Sequence, residues 1–175
     1  LFFNKEKEAD SVFSTIEKDY NLATKIAQKN TNSPTILSGS MFKDIWNVPG
    51  GESFIATFLK DAHLNYLWKD TKGSGSLQLS FESVLDKGKN ADFWIGCGLY
   101  ETKEQLLNAN KHYKEFDAIN NGKAYTIGTK KGKTGGLIYF ELAPIRPDLV
   151  LKDMIKITNP ASLPNYELTF FEELK

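Results

Sequence analysis

Three short runs of apolar and β-branched residues, each closed by a glycine and separated from the next by helical patterning, restrict this chain more than any other feature. Thr35-Ile36-Leu37-Ser38 precedes Gly39, Ala91 to Cys97 precedes Gly98, and Lys123-Ala124-Tyr125-Thr126-Ile127 precedes Gly128. Runs this short and this apolar fit strands buried on both faces. The stretches between them can hold crossover helices, which imposes right-handed connections and a mainly parallel sheet. The predicted fold is therefore α/β, a three-layer arrangement with helices on both faces of a mainly parallel sheet.

Helix signals support that layering. From Lys5 to about Lys29, Ala9, Val12, Phe13, Ile16, Tyr20, Ala23, Ile26 and Ala27 recur at steps of three and four, the pattern of a long amphipathic helix. Asn30 to Pro34 stops it. Ser53 is placed to cap a helix burying Phe54, Ile55, Phe58, Leu59 and Ala62, and Ser80 to cap a short helix that ends by Asn90. Thr102-Lys103-Glu104-Gln105 matches a capping box. A helical piece from Gly136 to Leu142 precedes a last helix that starts at Pro147 and buries Leu149, Val150, Met154 and Ile155. Tyr166 to Phe171 reads as an edge strand. Gly73 to Ser76 reads as a flexible loop too short to separate domains.

Composition narrows the function classes. The 175 residues, 41% of them hydrophobic, can bury a core, and one domain is the default. Lys plus Arg and Asp plus Glu both number 22. That balance argues against a nucleic-acid partner, which selects a basic excess. No apolar run is long enough to span a bilayer. The single cysteine, Cys97, rules out an internal disulfide. The chain opens on Leu1-Phe2-Phe3 and is expected to be a piece of something longer.

Ligands on parallel sheets lie beyond the carboxyl ends of the strands. Here those loops are Gly39 to Gly51, Gly98 to Glu101 and Gly128 to Gly135, which carry Met41, Phe42, Trp46, Tyr100 and three lysines at 130, 131 and 133. Trp46 sits among polar and turn residues, where ligand binding and packing are both open. Gly50-Gly51 suits either a tight turn or close backbone approach to a ligand, and no phosphate-loop signature accompanies it. Lys130-Lys131-x-Lys133 fits a solvated turn. Glu82, early in its helix, is an acid favoured by the helix dipole. His63 and His112 stand far apart with no metal-ligand spacing. Cys97 is expected to be a small buried residue; a hydrolase using it with His63 or His112 is the competing enzyme reading, and a free-standing interaction module is the third class.

Together the motifs resemble a known family. The order strand, Trp46-x-x-Pro49-Gly50-Gly51-x-Ser53, helix, Leu79-Ser80-x-Glu82-x-Val84-Leu85, then Ala91-Asp92-x-Trp94-Ile95 is similar to the second lobe of periplasmic substrate-binding proteins of the iron-siderophore and cobalamin class. Arg146 to Asp153, and Asn159-Pro160 through Tyr166-Glu167-Leu168, resemble the end of the Bacteroides-type versions.

The resemblance implies residues 1–30 as an interlobe backbone helix and 31–175 as the carboxyl-terminal lobe of a two-lobed protein, the amino-terminal lobe being absent. It implies no catalysis and no resident cofactor. The implied activity is capture of a metal chelate, a ferric siderophore or cobalamin-type corrinoid, for delivery to an ABC permease in the inner membrane. The full-length form would be periplasmic, as a lipoprotein or exported protein. Trp46, Asn47, Gly50 and Gly51, with Tyr100 and Lys130, are the implied ligand contacts, and Glu82 would pair with permease arginines. One lobe alone would expose an apolar cleft face, or cover it by forming a homodimer.

Overall fold

A computed structural model describes residues 4–175; Leu1-Phe2-Phe3 lie outside the described residues. The first helix, α1, spans Glu6–Ala27 and is about 33 Å long at 1.5 Å per residue. Its apolar stripe is covered over one half only. Ala23 and Ala27 are buried, whereas Val12 and Phe13 are 60% and 67% exposed.

Among the described residues the main sheet has the order β4-β1-β6-β7-β8, from Asn65–Tyr66, Thr35–Ser38, Phe93–Ile95, Ala124–Thr126 and Glu172–Glu173 respectively. The first four are parallel, and β8 closes one edge antiparallel to β7. All three predicted strands are present, the first over its full expected span and the other two trimmed at their ends. Between them lie α2 (Phe54–Asp61), α3 (Phe81–Gly88), α4 (Lys103–Ala109) and α5 (Asp117–Asn120), followed by α6 (Ile138–Leu142) and α7 (Pro147–Thr158). The caps form as expected. Ser53, Ser80 and Thr102 each accept an amide hydrogen bond three residues on. The capping box closes one residue early, because Gln105 Oε1 accepts from the Glu101 amide rather than that of Thr102.

A second sheet departs from expectation. The segment after Gly39 is not a loop but a hairpin, β2 (Ser40–Phe42) and β3 (Ile45–Pro49), joined antiparallel to β5 (Ser76–Leu79). Its turn is Lys43-Asp44, with Lys43 at φ 56°, so the asparagine-glycine signal that marks such turns in a sequence is missing.

The hairpin is fastened to the main sheet by aromatic rings. Trp46 of β3 stacks on Trp94 of β6 with centroids 5.0 Å apart and planes 30° apart. Tyr113 and Phe116, from the 3-10 turn and loop before α5, pack on both indoles, and Phe81 of α3 packs on Trp46. Trp94 Nε1 donates to the Gly39 carbonyl at 2.8 Å, so the buried indole keeps its polar group satisfied.

On the other side α7 packs along α1 and touches α2. Arg146 grips the fully buried Asp148 bidentately at 2.8 and 2.7 Å, Lys152 lies 3.7 Å from the same carboxylate, and Lys152 also reaches Asp19 of α1 at 3.3 Å. Asp153 anchors the chain end, accepting from the amides of Thr169, Phe170 and Phe171 and from the Tyr166 hydroxyl. This corrects the edge strand expected over Tyr166 to Phe171. A carboxylate takes the amides that a ladder would need, and strand pairing starts only at Glu172.

Two outcomes follow from this packing. Trp46→Ala is expected to lower stability by about 3–5 kcal/mol, as for other buried tryptophans cut to alanine, measured by urea unfolding; a loss below about 1 kcal/mol would contradict a core role. Burial pushes the Asp148 carboxyl up, but the hydrogen bonds and charge of Arg146, with Lys152, hold it below the usual range. Its contribution is therefore full above the ordinary aspartate value of about 3.9 and is lost as pH falls through the lower folded value. Asp148→Asn should cost about 2 kcal/mol at pH 7, less than for a fully buried pair because Arg146 is 34% exposed. That penalty should shrink in thermal melts taken below about pH 4; a penalty equal at pH 7 and pH 3 would rule the pair out as its source.

Candidate functional site

The carboxyl ends of β1, β6 and β7 bring three loops into direct contact. Thr126 Oγ1 donates to the Gly98 carbonyl at 3.1 Å and accepts from the Gly128 amide at 2.9 Å, tying the second loop to the third. Gly128 lies against the Leu99 carbonyl so closely that a Cβ has no room. Gly98 faces the Tyr100 ring and Ser40, which joins the first loop to the second. Lys131 and Glu101 close the rim with a 2.6 Å ion pair. The fold thus makes one surface of this end of the sheet.

The predicted contacts are distributed differently from expectation. Trp46 has no exposed surface, so it is a core residue and not a platform for a ligand. The reason is the hairpin, which turns β3 inward onto Trp94. Asn47 is half-buried inside the second sheet, opposite Ser40 on one side and Gln78 on the other. Gly50 and Gly51 are committed to the protein itself. Their amides donate to the Gly75 carbonyl and to Thr71 Oγ1, and added Cβ atoms would strike the carbonyls of Gly73, Lys69 and Thr71. The close approach these glycines permit is made by the 69–75 loop.

Tyr100 is half-buried beside Gly98 at the loop junction. Lys130 lines a depression shared with Tyr125, Lys156, Glu167, Glu172 and Glu173 along the β7–β8 edge. Glu82 is exposed in the first turn of α3. Its own amide and the Ser80 hydroxyl hold the carboxyl below the usual glutamate range. Asp86, Lys89, His112 and Glu115 line the same depression.

Cys97 is fully buried, and that burial pushes its thiol up to about 12, the opposite of an activated nucleophile. His63 and His112 are both exposed, and His112 Nδ1 is engaged with Glu115 at 2.7 Å. Among the described residues no group of three or more His, Cys, Asp or Glu side chains is placed to hold a metal ion.

Other residues give this end its character. Phe42, Ile45, Phe54, Leu99 and Phe140 are large, apolar and 43–86% exposed. Phe54 corrects the sequence expectation most sharply. The sequence pattern places it in the core, whereas it is 86% exposed at the start of α2. With Phe58 it forms one wall of a groove of about 490 Å³, and Tyr139, Phe140, Pro144 and Pro147 form the other. Pro144 and Pro147 also line a second groove, shared with Val12, Phe13 and Ile16 of α1. The available signal is surplus: α2 carries Phe54, Ile55, Ala56, Phe58 and Leu59, with Ala62 just after it, more apolar positions than one buried stripe can take.

Comparison with known proteins places this architecture. The sequence matches the family model described as periplasmic binding protein over residues 2–130. An uncharacterized lipoprotein of Methanocaldococcus jannaschii is 25% identical over 97% of this chain and 39% of its own length. A TroA-like periplasmic binding protein, FepB from Veillonella parvula, superposes with a TM-score of 0.71 at 14% identity, covering 98% of this chain and 57% of that one. IsdE of S. aureus, solved in complex with heme, gives 0.64 at 18% identity, covering 90% and 59%. The chain therefore spans well under two thirds of the length of each of these proteins.

The two roles of glycine at this end are separable by substitution. Gly51→Ala must displace the 69–75 loop and is expected to cost about 1–3 kcal/mol. Gly75→Ala meets nothing within 4 Å and should stay within about 0.5 kcal/mol of wild type. Equal unfolding midpoints for the two variants would remove the packing explanation of the Gly50-Gly51 pair.

Proposed function

This chain belongs to the periplasmic binding protein family, and on that premise we propose that it is the carboxyl-terminal lobe, with its interlobe helix, of a two-lobed solute-binding protein of an ABC importer. Residues 1–30 join the lobes and residues 31–175 form the lobe itself. The observation that carries the reading is the exposed apolar end of the sheet, where the hairpin after Gly39 and the loops after Gly98 and Gly128 meet at the strands' carboxyl ends. Ligands bind at that end in open α/β sheets, and a lone lobe leaves it uncovered. The exposed half of α1, with Val12 and Phe13 near Ile145, is the surface on which the second lobe packs.

The ligand in this reading is a metal chelate such as a ferric siderophore, haem or a corrinoid, and the metal arrives inside it. The solved relative that holds heme supports that class. The protein carries out no catalysis of its own. The lipoprotein names of the archaeal relatives support an exported, membrane-tethered full-length form.

Glu82 is the docking carboxylate for the permease. It is exposed and ionised beside Asp86, in a depression that Lys89 and the His112–Glu115 pair also line, so its carboxylate is open to an arginine fork. The test is the full-length protein reconstituted with its permease in proteoliposomes. Glu82→Arg should reduce stimulation of ATP hydrolysis at least tenfold while leaving ligand affinity unchanged. Equal stimulation by variant and wild type would remove Glu82 from docking; no stimulation by the wild type would count against the importer reading itself.

A further inference from the structure

Resting on the solute-binding reading, we infer that the groove between α2 and α6 takes a ligand that is uncharged or internally charge-balanced and presents ring or hydrocarbon surface, and that it discriminates against polyanionic chelates. The groove walls are aromatic, aliphatic and proline side chains, and among the described residues no charged side chain lines them. Phe54 and Phe140 stand 86% and 61% exposed on opposite walls. They offer flat apolar faces at a volume, about 490 Å³, within the range of small-molecule sites of about 300–1,000 Å³.

Two of the cations at this end are held in ion pairs, and none of its lysines lines the groove. The chain's one arginine, Arg146, is held bidentately by Asp148. Lys131 is paired with Glu101 at 2.6 Å. Lys130 lies in the β7–β8 depression among Glu167, Glu172 and Glu173. Lys43 stands 5.7 Å from the Phe42 ring centre, next in sequence to Asp44. Lys133 belongs to a glycine loop whose Gly132 and Gly136 pack against the Glu141 carboxylate. A ligand carrying several negative charges would exchange water for a wall that returns no compensating charge or hydrogen bond, which is costly. An apolar ligand of the same size loses nothing and gains buried surface.

The experiment is a calorimetric titration of the full-length protein with a neutral ferric trihydroxamate, cyanocobalamin and a triply anionic ferric tricatecholate, each at low and high salt. The same titrations are run on Phe54→Ala and Phe140→Ala, whose exposed side chains can be removed without opening the core; unchanged melting temperatures check this. The expected result is binding of a neutral probe at least tenfold tighter than the anionic one, insensitive to salt and weakened at least tenfold in each variant. Preference for the tricatecholate, with affinity falling as salt rises, overturns this inference and leaves the solute-binding reading standing. Neutral binding unchanged in both variants also overturns it, as does a change of oligomeric state in the variants, which would assign the groove to a protein interface. Failure of all probes to bind counts against the solute-binding reading as well.

Discussion

The stack of Trp46 on Trp94 is the contact on which the rest of this structure depends. It joins two sheets that share no backbone ladder, since the hairpin sheet β2-β3-β5 and the main sheet are hydrogen-bonded separately. Phe81, Tyr113 and Phe116 complete the cluster from α3 and from the segment before α5, so five rings draw together elements from four parts of the chain. Aromatic rings suit this work because each buries a large area at few rotatable bonds. With the hairpin held, Gly50 and Gly51 can lie flush against the 69–75 loop, and Ser53 is delivered to the start of α2.

The opposite layer is organised by charge. Asp148 and Asp153, both buried on α7, face different tasks. Asp148 orders Arg146 and, through Lys152 and Asp19, ties α7 to the long first helix. Asp153 gathers the amides of Thr169, Phe170 and Phe171 and closes the chain end over the core. Buried carboxylates are tolerated only when fully bonded, and each here has several donors. The consequence for function is positional. The carboxyl half of α1 is locked to the lobe, while its amino half stands clear with apolar side chains exposed beside Ile145.

Away from those two anchors, the carboxyl end of the sheet presents an apolar surface. The hairpin after Gly39 packs on Gly98, and the loops after Gly98 and Gly128 are tied through Thr126, so the surface they present is preformed. Burial raises the thiol of Cys97 beneath it, Lys131 is paired with Glu101 and Lys130 lies among acids. What stays exposed is Phe42, Ile45, Phe54, Leu99 and Phe140. This end of the sheet is thus marked by hydrocarbon surface, with Glu82 separate from it on α3.

Periodicity, caps and glycine punctuation in the sequence determined three of the four parallel strands, their order of appearance, the starts of α2, α3, α4 and α7, and the extent of α1, because each of these is set by neighbours within a few residues. The family resemblance rested on the same local motifs. The destinations of individual aromatic residues were decided only by tertiary structure. Trp46 and Phe54 lie eight positions apart, both beside polar or turn residues, and one is fully buried while the other is 86% exposed. The difference arises from a hairpin whose Lys43-Asp44 turn carries no strong local signal, and which turns one indole toward a tryptophan 48 residues away. The same holds for Gly50-Gly51, whose missing side chains serve a loop that begins some 18 positions later, and for Tyr166 to Phe171, whose strand pattern gives way to a carboxylate on α7. Local patterning specifies which elements form, whereas burial depends on which distant surface reaches a side chain first, and no short window of sequence contains that surface.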